Sequence, residues 1–153
     1  MIDINIDTSQ LDKKLIDLKS NVPNALRAGV ERSLADIGQA VASRATLAFR
    51  SEPIRPSPWA PRKPSKRDDG HPLLIKSGSL RQSIGYKVVG KDTVVVGTDR
   101  KYAGYHQFGT KHMPARPFMP LDENGNLLPR MQLKINEIVE KSVAEELGKF
   151  GLK

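Results

Sequence analysis

The chain has 153 residues, 38% of them hydrophobic and 27% charged, a size and a soluble composition that suit one domain with a real core. It contains no cysteine, which excludes disulfide scaffolds, thiolate metal sites and cysteine nucleophiles. The net charge is +8, and the whole excess lies in the middle third: residues 50–120 hold fourteen basic side chains and five acidic ones, whereas 1–49 hold six of each and 121–153 hold five and six. Such a region suits phosphate or an acidic protein face; the plainer alternative is a solvated, lysine-rich surface.

The opening residues, from Met1 to Ile6, alternate apolar and polar without a basic flank, so a strand over 2–6 is expected and a signal peptide is not. Thr8 or Ser9 caps a helix that begins near Leu11 and continues through Leu15 and Leu18. Pro23 interrupts it, and Ser20 or Asn21 caps a fresh helix. Leu26, Val30, Leu34, Ile37, Val41, Ala45 and Ala48 then keep a spacing of three or four, which predicts a long amphipathic helix over roughly 22–49. Gly29 and Gly38 lie on or near its apolar stripe and permit close packing there.

Six prolines between 53 and 72 predict a loop over 51–72, with a strongly basic centre at Arg62, Lys63, Lys66 and Arg67. Leu73, Leu74 and Ile75 read as a short buried segment, and 77–83 as one capped helical turn. Strands follow over 84–90 and 93–98, joined by a hairpin turn at Gly90-Lys91-Asp92. Residues 102–108 predict a short helix ended by Gly109; 114–120 read as extended, with Phe118 and Met119 in a strand. After a turn at 122–126, Pro129 opens a final helix with an apolar face of Met131, Ile135, Ile138, Val139, Val143, Leu147 and Phe150. The expected fold is α+β: a small antiparallel sheet packed against long N-terminal and C-terminal helices, in a single domain over 1–153. No apolar run approaches the length needed to cross a bilayer, so no membrane partner is expected.

The chain offers little for catalysis. The histidines are His71, His106 and His112. Asp68-Asp69-Gly70-His71 raises the idea of a metal site, but the spacing matches no ligand pattern and reads better as a solvated turn. No serine sits in a nucleophile elbow, no glycine-rich loop precedes Lys-Ser/Thr, and no His-Glu pair has zinc-protease spacing. The expectation is a protein that is not an enzyme and needs no cofactor. Nucleic-acid binding has the charge but no motif, and aromatics at 5% leave few stacking platforms.

Three pieces carry a resemblance: Trp59-Ala60-Pro61 leading through the basic loop to 73–84; Val96-Gly97-Thr98 followed by 102–110; and Met113 to Pro120 followed by 122–128 and the closing helix. Together they resemble the phage virion morphogenesis family, which includes the Mu-like G protein and the P2-like tail completion protein S. The second and third pieces are also similar to the head–tail joining proteins of siphophages. The resemblance implies a structural protein of tail completion or head–tail joining. It would be found in the virion and, during assembly, in the bacterial host cytoplasm. The implied partners are phage tail or head and connector proteins, and the implied assembled state is a homo-oligomeric ring. The alternative is a nucleic-acid-binding accessory protein that uses the basic middle region, and in either case that region keeps proximity to DNA open.

The motif residues expected at an interface are Trp59, Arg81, Tyr102, Tyr105, His106, Gln107, Phe108, Gly109, Arg116 and Phe118. Against that stands a reading of Tyr102, Phe108 and Phe118 as plain core. Arg81 and Arg116 are candidates for ion pairs, within the fold or across a subunit boundary. The loop 51–72 is expected to be disordered in the free subunit and to order on a partner.

Overall fold

A computed structural model of the chain describes residues 2–7, 24–64 and 70–148, with the backbone alone at 2–7, 24 and 25. The helix expected near Leu11, its caps at Thr8 or Ser9, and Phe150 lie outside the described residues, as do Ser20, Asn21 and Pro23. The elements are β1 (Ile2–Asp7), α1 (Asn24–Ala48), a 3₁₀ turn (Glu52–Ile54), α2 (Ser79–Gln82), β2 (Gly85–Val89), β3 (Thr93–Thr98), α3 (Ala103–Phe108) and α4 (Pro129–Gly148). This is the expected α+β class.

The spacing of apolar residues accounts for α1. Leu34, Ile37, Val41, Ala45 and Ala48 are all essentially inaccessible to solvent. Full burial of each larger side chain contributes about 1.5–3 kcal/mol. Buried Ser33 satisfies its hydroxyl by donating to the Val30 carbonyl at 2.7 Å, one turn back. The helix packs against β2 and β3 with one part of its surface and against α4 with another.

The two glycines of the stripe sit at these two contacts. A Cβ on Gly29 would stand 3.1 Å from the Ser142 carbonyl of α4. One on Gly38 would stand 2.6 Å from Cγ of Tyr86 in β2. On α4, Met131, Ile135 and Val139 are buried, and the stripe continues through Ser142 and Glu146 rather than through apolar residues alone. Glu146 meets Arg32 of α1 at 2.6 Å, so this end of the helix pair is held by charge.

The sheet has the order β1-β3-β2, antiparallel throughout. β3 alternates: Val94, Val96 and Thr98 are buried and the residues between them half-buried. The hairpin turn needs φ of +67° at Gly90, which glycine adopts without strain.

Three expectations are corrected. Phe118 and Met119 are extended but belong to no strand, because their amides are taken by a side chain and Pro114, Pro117 and Pro120 have no amide to give. Leu73, Leu74 and Ile75 are half-buried, in a turn where Leu74 takes φ of +62°. The loop 51–72 is not without regular structure: it opens on the 3₁₀ turn and buries Trp59. Residues 65–69, including Lys66 and Arg67, lie outside the described residues.

Candidate functional site

Phe49, at the end of α1, makes the floor of the site. Trp59 meets it edge-on, with centroids 5.8 Å apart, and Phe118 meets it tilted at 5.2 Å. Arg55 lies over the outer face of the indole, 4.0 Å from its centroid, and donates to the Ala48 carbonyl at 3.0 Å. Its Nη1 also reaches Glu52 at 3.1 Å.

Segment 113–120 runs across this floor and is tied from three directions. Trp59 Nε1 donates to the Pro117 carbonyl at 2.8 Å. Arg116 donates through Nε to the Ala60 carbonyl at 3.0 Å and through Nη2 to the Pro61 carbonyl at 3.2 Å. Gln107 Oε1 accepts from the amides of Phe118 and Met119, each at 3.0 Å. Arg116 is therefore buried on backbone carbonyls, and among the described residues it forms no ion pair. Of the two ion pairs for which it is a candidate, the one within the fold does not form among the described residues. A guanidinium presents several donors in a fixed plane, which suits two adjacent carbonyls as well as it suits a carboxylate.

These ties present α3. Ala103 and Gln107, four apart, face the core. Tyr102, Tyr105 and Phe108, three apart, are left exposed, with 40%, 59% and 64% of their surface accessible. The core reading therefore holds for Phe118, which is 1% exposed, and fails for Tyr102 and Phe108. Gly109 ends the helix at φ of +75°, with the Ala115 amide where a Cβ would come within 2.8 Å.

His106 is half-buried, edge-on to Tyr102 at 5.9 Å, and its Nδ1 is buried without a hydrogen-bond partner. Burial, with the Arg116 charge adding to it, holds its pKa below the usual histidine value. Beside it is a cavity of about 300 Å³ lined by Arg62, His71, Lys76, Tyr102, His106 and Arg116, among others. Arg62 Nη2 lies 2.9 Å from His71 Nδ1 and donates to the His71 carbonyl at 2.8 Å.

The family model for phage virion morphogenesis matches residues 6–144. This chain belongs to the phage virion morphogenesis family. A 49-residue stretch of this virion morphogenesis protein is 44% identical to Mu-like prophage FluMu G protein 1 of Haemophilus influenzae, covering 32% of the chain and 30% of that relative. No solved structure matches it.

The structure brings together most of the motif residues of this virion morphogenesis protein: Trp59, Arg62, Tyr102, Gln107, Gly109, Arg116 and Phe118 all belong to the clamp, the helix or the cavity. Arg81 stands in the separate turn α2, half-buried, and Lys63 is exposed in the loop. Sequence reading missed Phe49 as the floor, because it falls one residue past the helical stripe. It also missed Glu146, a buried acid inside an otherwise apolar pattern. Among the described residues, no group of three or more histidine, aspartate or glutamate side chains is placed to hold a metal ion, and no helix is long and apolar enough to cross a membrane.

Proposed function

We propose that this protein is a structural, non-enzymatic subunit of a phage or prophage particle that acts in tail completion or head–tail joining, assembled as a ring of identical copies. Its contact surface is the exposed face of α3, Tyr102, Tyr105 and Phe108, with Lys101 and Lys111 exposed beside it. The observation that carries this reading is the pairing of that face with the clamp beneath it. Three large aromatics are held out in water by a helix whose inner side is fixed by Gln107 and whose end is fixed by Gly109. Aromatic side chains on a rigid platform are the usual anchors of protein interfaces. The partners are tail or head and connector proteins, and the setting is the virion and, before it, the host cytoplasm.

The test is complementation of a null phage with Tyr105→Ala and Phe108→Ala, scored by infectious yield and by electron microscopy of heads and tails. Subunits that melt normally but leave heads and tails unjoined support the proposal. Normal joined particles from both variants refute the surface assignment.

Exposed aromatics among basic residues also favour a second reading, a DNA-binding accessory protein. Duplex binding that weakens steeply with salt, from a chain whose loss leaves particles joined, would select it over the first.

A further inference from the structure

Within the three-stranded sheet, β3 is paired on both sides. Among the described residues, β1 and β2 each have one edge with no strand against it. All five residues of β2 are exposed, and three are apolar: Tyr86, Val88 and Val89. Folds usually blunt a free edge with proline, a bulge or several charges. Here neither edge strand contains proline, and both registers run unbroken, from Ile2 opposite Thr98 to Asp7 opposite Thr93, and from Gly85 opposite Gly97 to Val89 opposite Thr93.

The two edges carry opposite charge. β1 holds Asp3 and Asp7 and no base; β2 holds Lys87 and no acid. Pairing of like edges in a two-fold dimer is therefore disfavoured: β2 against β2, centred on its middle residue, sets lysine against lysine. β1 against β1 brings together two strands that each carry net negative charge and no base. Unlike edges attract.

We infer that β2 of one copy pairs with β1 of a second copy, extending the sheet from subunit to subunit. This contact is heterologous, each copy giving a different edge, so it propagates and closes if its rotation allows a ring. β1 and β2 run in the same direction, both antiparallel to β3, so copies related by rotation about one axis roughly along the strands join them in parallel. The inference rests on the oligomeric reading proposed above and names the surface that builds it.

The experiment measures mass by light scattering over a concentration series for the full chain. The variants are Lys87→Glu, the pair Asp3→Lys and Asp7→Lys, and all three changes in one chain. Wild type should assemble, and each single-edge reversal should raise the half-assembly concentration about tenfold or more. The triple variant, with both signs exchanged, should recover. Assembly of the wild type that is indifferent to both edges overturns this contact alone; a wild type that stays monomeric throughout overturns the oligomeric reading with it.

A covalent readout covers variants that fold poorly. The chain has no cysteine, so Asn5→Cys with Lys87→Cys introduces the only pair. Both positions register with Val95, one on each side, about 9–10 Å apart within a subunit, which is too far for an internal disulfide. Oxidation should give a ladder beyond the dimer from the double variant. Monomer alone from that variant, or dimer from Lys87→Cys by itself, overturns the proposal.

Discussion

Trp59 and Arg116 grip the same two segments from opposite sides. The indole of Trp59 donates to the backbone one residue beyond Arg116, and the guanidinium of Arg116 donates to the two carbonyls just beyond Trp59. The bonds join residues 55 to 58 apart in sequence, so each closes a long loop against the core.

Breaking this exchange should cost stability. Arg116→Ala removes hydrogen bonds from a charged donor and leaves two carbonyls short of partners, for a loss of about 2–4 kcal/mol. Thermal melting should fall by roughly 10 °C. Trp59→Phe, which keeps a ring against Phe49 but loses the N–H, should cost less. The double variant should lose less than the sum, since both bonds hold one junction. Strict additivity would show two independent contacts instead.

Gln107 invites a sharper test, because a single oxygen serves two buried amides. Gln107→Met keeps length and apolar volume and removes the acceptor. Each stranded amide costs about 1–3 kcal/mol, so this substitution should destabilise by several kcal/mol. Hydrogen exchange at Phe118 and Met119 should accelerate more than at Val94 or Val96. Uniform acceleration across all four would assign Gln107 a general role rather than this local one.

Gly38 should not tolerate a methyl group. Its Cβ would stand 2.6 Å from Tyr86 Cγ and 2.8 Å from Val94 Cγ2, and overpacking of this kind costs about 1–3 kcal/mol. Gly104→Ala, inside α3 with nothing within 4 Å, is the control and should be neutral or mildly stabilising. In a Tyr86→Ala background the penalty of Gly38→Ala should shrink. An unchanged penalty in urea unfolding would place the strain elsewhere.

Acid should weaken the fold through His106. Its pKa in the folded state is lowered by burial and by Arg116, so the unfolded chain binds a proton more readily. Stability from this residue is whole above the ordinary histidine value of about 6.5 and declines as pH falls from there toward the lowered one. Melting temperature should therefore drop between pH 7.5 and 5.5, and His106→Gln should flatten that part of the profile. An equal drop in both proteins would remove His106 as the cause.

Much of the chain was legible before any coordinates. Three-to-four spacing sufficed for α1 and α4, and alternation around a glycine turn sufficed for β2 and β3, because these patterns depend on neighbours in sequence. Ala45 and Ala48 could be assigned to the core from spacing alone, and the family motifs from 59 to 128 could be recognised as an ordered set. What tertiary structure decided was which side each motif residue faces. Arg116 looks like an ion-pair residue until Ala60 and Pro61 arrive from 56 and 55 positions away. Phe118 and Phe108 look alike until Gln107 turns one segment inward and leaves the other face of α3 in water. The prolines of the loop predict no regular structure, yet Glu52–Ile54 forms a 3₁₀ turn and Trp59 is buried edge-on to Phe49. Composition counts charges and breaks; only the folded chain shows which of them have found a partner across the core.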